Sequence, residues 1–259
     1  MRLLFVGDVI GRPGRRIVQH SLQDMVAAEE AELVVLNCEN SAAGFGVTPD
    51  IANGFLDLGV DVLTSGNHIW DKKLIFDYFG QQPRLLRPAN YPDSPGSGLY
   101  VGCTDHGIRY AVLNLQGRTY MPATHCPFRM ADEILDSIED DVKVRLVDFH
   151  AEVTSEKQAM GWHLDGKVSA MVGTHTHVPT ADERVLPGGT AYQTDTGMTG
   201  PTHSVIGMDV RSSLGRFLNG RPARFEPASG PVRMNAVLID IDEQTGRARS
   251  IKRRTADLD

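Results

Sequence analysis

The sequence predicts an α/β fold in which mixed β-sheets are flanked by helices. Three observations carry that prediction. From Arg2 to Phe79, apolar runs rich in β-branched residues alternate with stretches of helical period, the pattern of β-α units with parallel strands and right-handed crossovers. Two short runs, Leu99 to Gly102 and Arg109 to Leu115, flank Cys103 to Gly107 and read as an antiparallel hairpin, which implies a second, mixed sheet. Several runs also end in ligand-type side chains, and the carboxyl ends of strands are where α/β sheets place their chemistry.

Arg2 to Asp8 reads as a buried strand ending in a carboxylate, and Arg12-Pro13-Gly14 opens a helix whose apolar positions are Ile17, Val18, Leu22, Met25 and Val26. Glu32 to Asn40 repeats the plan with a carboxylate and an amide at its end. Gly44-Phe45-Gly46 is a loop. Thr48 and Pro49 follow as N-cap and first helical residue of a helix carrying Ile51, Phe55 and Leu58. Asp61 to His68 is a third strand, ending in Asn67 and His68, and the helix expected from about Asp71 turns Leu74, Ile75, Tyr78 and Phe79 inward. Arg84 to Gly98 is rich in proline and glycine and is expected to run over the surface.

After the hairpin, Phe128 to Val142 reads as an acidic amphipathic helix and Lys143 to His150 as a strand that delivers an imidazole. Ser155-x-x-Gln158 marks the next helix as a capping box. The run Val168 to Val172 then leads into Gly173-Thr174-His175-Thr176-His177. At this i, i+2 spacing in extended chain both imidazoles leave the backbone on the same side. Thr190 to Gly197 and Met234 to Ile241 read as further strands joined through an ordered, glycine-rich loop at Gly197 to Gly207. Arg247 to Arg254 reads as an edge strand whose charges deter pairing with other chains.

The chain has 259 residues, 41% hydrophobic and 23% charged, which suits one domain spanning residues 1–259. No apolar run approaches the roughly 18 residues that span a bilayer, so a cytoplasmic protein without membrane contact is expected. Cys38, Cys103 and Cys126 show no C-x-x-C spacing and read as reduced thiols. A net charge of -7 and a pI of about 5.7 have the wrong sign for holding long nucleic acid. A small anionic substrate would need local positive charge, which bound metal can supply. Homo-oligomerisation is left open.

Five predicted strands end in Asp8, in Glu39 and Asn40, in Asn67 and His68, in His150, and in His175 and His177. Polar residues often cap strands singly, but parallel strands bring their carboxyl ends to one edge. Buried together without a cation, these groups would leave carboxylates unpaired and lone pairs unsatisfied. Oxygen donors mixed with imidazole, with no thiolate among them, suit Mn, Fe or Zn. The donors also outnumber what one metal needs. Two metals roughly 3.5–4 Å apart with a carboxylate between them serve in-line displacement at phosphorus.

Gly7-Asp8, Gly66-Asn67-His68, His150 and Gly173-Thr-His175-Thr-His177, in that order, resemble the calcineurin-like metallophosphoesterase superfamily. Leu36-Asn-Cys-Glu39-Asn40-Ser-Ala and Asp148-Phe-His150-Ala-Glu152-Val-Thr-Ser-Glu-Lys157 resemble its bacterial YmdB-like branch, phosphodiesterases that act on cyclic nucleotides. The resemblance implies a sandwich of mixed sheets flanked by helices and two divalent or trivalent metal ions, Fe or Mn first and Zn next. Two departures from the superfamily pattern stand out. Its Asp-x-His is Asp8-Val9-Ile10 here, and its Gly-Asp is Cys38-Glu39-Asn40. By position Glu39 becomes the bridging carboxylate, and Asn40 lies where the missing imidazole would be. The implied first site is Asp8, Glu39, Asn40 and His177. The second is Glu39, Asn67, His150 and His175, with the two last histidines interchangeable. A water bridging two cations is acidic enough to attack at neutral pH, and the resemblance makes His68 the donor of a proton to the leaving oxygen.

Other residues carry weaker signals. Arg12 and Arg15 follow Asp8 near a helix start and could meet phosphate, although solvated arginines are the ordinary case. Phe45, Trp70 and Tyr192 could stack on a base or simply pack. Asp148 reads as a partner for a ligand histidine or as a plain strand residue. His20, His106, His125, His163 and His203 fit no ligand pattern.

Overall fold

The apolar runs are continuous because most strands are covered on both faces. In the computed structural model, which describes residues 1–220, 222 and 224–259, the chain begins with β1 (Arg2–Val6), α1 (Gly11–Glu29), β2 (Leu33–Asn37), α2 (Pro49–Asp57) and β3 (Val62–Thr64). β1, β2 and β3 are parallel neighbours. A four-residue α3 (Ile75–Tyr78) leads to β4 (Leu99–Cys103), β5 (Arg109–Gln116), α4 (Pro127–Ser137), β6 (Val144–His150), α5 (Thr154–Leu164), β7 (Ala170–Thr174), β8 (Arg184–Val185) and β9 (Ala191–Gln193). These strands form a second sheet in the order β4-β5-β6-β7-β9-β8, parallel from β5 to β9 with an antiparallel strand at each edge. The chain then returns to the first sheet through β10 (Gly200–Pro201), α6 (Val210–Asn219), β11 (Val232–Ile241) and β12 (Ala248–Leu258). β11 lies antiparallel between β1 and the edge strand β12.

Alternation along each strand sorts the core into layers. Leu3 and Phe5 of β1 face the second sheet and meet Val112, Leu146 and Val172 from β5, β6 and β7. Leu4 and Val6 point the other way, against Ile17, Val18 and Leu22 of α1 and Phe55 of α2. On the outer face of the second sheet, Leu113, Val147 and Phe149 meet Ala131 and Leu135 of α4 and Met160 and Leu164 of α5. The result is the expected α/β fold, a sandwich of two mixed sheets covered by helices on both sides. Among the described residues no helix is long and apolar enough to cross a membrane.

Local readings fail where tertiary contacts override them. The helix expected from Asp71 shrinks to a 3-10 turn at Asn67–Trp70 followed by α3, so Ile75, Tyr78 and Phe79 are buried but Leu74 is exposed. α4 stops at Ser137 rather than Val142. α5 starts one residue before the expected capping box, with Val153 at the cap and no side-chain bond there, so Ser155 lies inside the helix. Thr48 is the N-cap of α2 and Pro49 follows it, yet the threonine side chain makes no capping bond. The stretch from Arg84 to Gly98 is not wholly superficial. Leu85 and Leu86 are buried, bridged to Leu63 and Ser97.

Candidate metal centre

Each predicted site residue emerges where a parallel strand ends. Asp8 follows β1, Glu39 and Asn40 follow β2, Asn67 and His68 open the turn after β3, His150 closes β6, and His175 and His177 follow β7. Because both sheets present carboxyl ends to the same edge, these residues meet across the sandwich. His150 Nε2 lies 3.1 Å from Glu39 Oε1, 3.1 Å from Asn67 Oδ1 and 3.0 Å from His175 Nδ1. Asn40 Nδ2 lies 3.0 Å from Glu39 Oε1 and 3.1 Å from His177 Nε2. Gly66 is required by this crowding, since a Cβ there would collide with the His150 ring.

The donor atoms fall into two groups that share one carboxylate. Glu39, His150 and His175 offer ligand atoms within 4.8 Å of one another, and so do Asp8, Glu39 and His177. Asn67 adjoins the first group through His150, and Asn40 adjoins the second through His177. A half-turn of the Asn40 amide would present its oxygen where its nitrogen now lies. His68 stands apart from both groups. Its backbone nitrogen donates to Glu39 Oε2 at 3.1 Å, and its ring Nδ1 pairs with Asp71 Oδ2 at 2.9 Å.

Every imidazole that faces the centre is fixed through its other nitrogen. His150 Nδ1 bonds Thr174 Oγ1 at 2.9 Å, and that hydroxyl donates to Asp148 Oδ1 at 2.7 Å. Asp148 is therefore a partner at one remove from the centre, and it also accepts from Asn37 and Thr64. His175 Nε2 lies 3.0 Å from Glu152 Oε2, and His177 Nδ1 donates to the Ile206 carbonyl at 2.9 Å. Such outer contacts set ring orientation and tautomer in metal sites. The 175–177 loop is held in turn by Asp195, whose Oδ2 accepts from Thr176 N at 3.1 Å and Thr176 Oγ1 at 2.8 Å.

The electrostatics fit a cation. Asp8 Oδ1 is buried with no hydrogen-bond partner among the described residues. Burial pushes the Asp8 carboxyl well up, with Asp195 and Glu39 adding to the rise. Burial alone would raise Glu39 as well, but the His150 charge and hydrogen bond hold it below the usual carboxylate range. Burial would depress His150, yet Glu39 and Asp8 outweigh it and raise the imidazole to about 9. The two neighbouring carboxylates thus favour the protonated form of His150, as they would favour a cation. His175 is driven down to about 3 by burial and by His150, and burial also lowers His177. Cys38 adjoins Glu39, but burial pushes its thiol up, which keeps thiolate out of the donor set. Buried carboxylate, imidazole and amide donors without thiolate suit Mn, Fe or Zn.

The weaker candidates divide. Phe45 lines the cavity and meets the His68 ring edge-on at 5.0 Å. Trp70 instead packs on Phe76, Phe79 and Tyr91, and Tyr192 is buried with its hydroxyl on Thr194. Arg15 donates to the Ser41 carbonyl, while Arg12 lines a neighbouring cleft. Glu152, Ile206 and the Lys157–Asp195 pair had no assigned role in the sequence reading. Only Glu152 and Lys157 carried a signal there, inside the Asp148 to Lys157 motif.

Two mixed sheets, helices on both outer faces and paired donor groups at the strand ends define a metallophosphoesterase-like protein. The family model described as YmdB-like protein matches residues 4–254, and the chain belongs to that family. A Bacillus subtilis relative named 2',3'-cyclic-nucleotide 2'-phosphodiesterase is 47% identical over 255 residues, covering 98% of this chain and 96% of its own. A Thermus thermophilus crystal structure, described as a hypothetical protein, superposes with a TM-score of 0.93 at 40% identity over 99% of both chains. A Mycoplasma pneumoniae structure described as a novel phosphatase gives a TM-score of 0.93 at 33% identity over 99% of this chain and 93% of its own.

Proposed function

We propose that the chain, as a single domain over residues 1–259, is a metal-dependent hydrolase of small phosphodiesters, with 2',3'- or 3',5'-cyclic nucleotides as its substrate class. The observation that carries this reading is Glu39, one buried carboxylate shared by two donor groups, with His68 beside them and outside both. The Bacillus subtilis relative's name supports the diester class. Asp8, Glu39, Asn40 and His177 would hold one Fe, Mn or Zn ion, and Glu39, Asn67, His150 and His175 the other. When bound, such a pair supplies Lewis acidity toward the phosphoryl oxygens and the attacking water.

The remaining work falls to this chain's own residues. Glu152, Thr174 and the Ile206 carbonyl orient the three imidazoles, so little reorganisation is needed when an ester arrives. Asp71 holds His68 through Nδ1, which leaves Nε2 as the nitrogen available to a bound ester. Proton donation from Nε2 to the departing oxygen avoids expelling a free alkoxide.

A panel of cyclic diesters, linear diesters and monoesters, run on protein reconstituted with Mn or Fe, tests the reading. Small cyclic diesters are expected to give the highest kcat/KM. Monoesters outpacing every diester would make the protein a phosphomonoesterase or protein phosphatase. Full metal loading without turnover of any ester would leave a metal-stabilised binding protein.

A further inference from the structure

The donor floor accounts for one side of a cavity of about 520 Å³, and the rest of its lining offers no metal-ligating side chain among the described residues. That wall is apolar and aromatic, made by Phe45, Ile206, Met208 and Phe225, with the Arg216 cation beside them. A space of this size is typical of sites for whole small molecules rather than for a bare phosphate group, which leaves the apolar side in need of an occupant.

The wall is built rather than incidental. Val205 and Met208 exchange backbone hydrogen bonds at 2.9 and 3.0 Å, and Met208 is bridged to Pro227, so the 205–208 turn is clamped. At its corner Ile206 has a φ of 46°, a costly conformation for a β-branched residue, and its side chain is 51% exposed. Its carbonyl accepts from His177 Nδ1 at 2.9 Å. The same residue therefore fixes an imidazole of the floor through its main chain and offers apolar surface at the cavity mouth. The Arg216 guanidinium sits 5.2 Å over the Phe225 ring and makes no salt bridge among the described residues. Stacked in that way, a guanidinium keeps its in-plane N–H groups free for a ligand.

We propose that this wall is a nucleobase subsite in which a base lies against the aromatic surface and Arg216 donates to its edge. Guanine is the favoured base. It presents O6 and N7 as adjacent acceptors to a guanidinium, whereas adenine sets a donor, its N6 amino group, beside N7. The subsite deepens the phosphodiesterase reading by specifying what its substrate carries, and its binding step can be tested without turnover.

The experiment uses the full chain reconstituted with Mn and two measurements. Binding of guanosine and adenosine, which lack phosphate, is followed by saturation-transfer NMR titration. In parallel, kcat/KM is measured for guanosine 2',3'-cyclic phosphate and for the abasic 1-O-methylribose 2',3'-cyclic phosphate, and their ratio is taken. Guanosine is expected to bind more tightly than adenosine, and Phe225→Ala to weaken it about tenfold or more. The substrate ratio should be about tenfold or more and fall toward one in the same variant. Arg216→Met, at an exposed position, should erase the preference for guanosine over adenosine. Absence of guanosine binding, or binding and ratio unaltered by both substitutions, overturns the subsite. Guanosine binding that responds as expected while neither cyclic phosphate is hydrolysed upholds the subsite and overturns the phosphodiesterase reading instead.

Discussion

Lys157 Nζ lies 2.6 Å from Asp195 Oδ2, and both side chains are buried. The same carboxylate accepts from Thr176 N and Oγ1 through Oδ2 and from Gly197 N through Oδ1. Thr176 separates His175 and His177, whose φ angles of 99° and 67° lie in a region that non-glycine residues seldom occupy. The ion pair therefore anchors a strained loop that points two imidazoles at the centre. Lys157→Met leaves Asp195 buried without its cation, a change that costs about 3–5 kcal/mol in comparable buried pairs. Urea unfolding should register that loss, and metal titration of the folded fraction should show weaker binding. Unchanged unfolding would mean that the pair contributes little.

Glu39 belongs to both donor groups, so its removal cannot be confined to one. Elemental analysis of reconstituted protein should approach two metals per chain, and Glu39→Ala should lower occupancy at both positions. A wild-type plateau at one metal, or full occupancy in the variant, rules out a shared carboxylate.

The strand ends were legible because each depends on a local pattern. Asp8, Glu39 and His150 close apolar runs, and parallel pairing brings such ends to one edge whatever the remaining details. What escaped reading depends on distant parts of the chain. Lys157 and Asp195 are 38 residues apart, and neither residue type advertises a buried pair. The Ile206 carbonyl that orients His177 is a main-chain group and leaves no trace in composition. α6 has its punctuation, an Asp209 cap on Ser212 N and Gly220 at the end, but its apolar residues Leu214, Phe217 and Leu218 are exposed rather than core. Leu74 misled in the opposite sense, since a helical period in sequence became a four-residue helix in the fold.

Asn40 stands beside His177 at the group that lacks the superfamily's first-strand histidine. Ile10, which takes the place of that histidine, is fully buried against Gly200 and Gly207 and keeps that side closed and apolar. Asn40→Ala should therefore weaken one metal selectively, seen as two separated steps in a titration where the wild type shows closer affinities. Equal binding of both metals by the variant would remove Asn40 from the ligand set.

Metal-free protein should lose stability on the alkaline side. Burial would depress His150, but Glu39 and Asp8 raise it to about 9, above its ordinary 6.5. The folded chain then holds a proton that the unfolded chain gives up. This stabilisation is fully present below pH 6.5 and disappears as pH climbs through about 9. Urea midpoints of the metal-free protein should fall across that window, and the fall should shrink in His150→Gln. Metal loading near neutral pH should also release protons, because a ligand imidazole must be neutral, and titration in buffers of different ionisation enthalpy reads that number. An alkaline profile identical in the variant would place the titrating group elsewhere.

His68 is held by Asp71 at 2.9 Å, contacts the Phe45 ring edge-on and lies outside both donor groups, a placement that suits proton donation better than ligation. If it gives a proton to the departing oxygen, His68→Ala should keep both metals and lose about 10²–10⁴-fold in rate on a cyclic nucleotide, whose leaving group is an alkoxide. An aryl diester departs as a stable phenolate and needs little protonation, so its loss should be much smaller. The difference between the two losses isolates proton donation from binding and positioning. Asp71→Asn should produce a milder version of the same difference, because it loosens the hold on the ring without removing it. Equal losses on both esters with metals retained would reduce His68 to a phosphate contact, and loss of a metal would make it a ligand. Metal content and steady-state rates on a single preparation decide among the three.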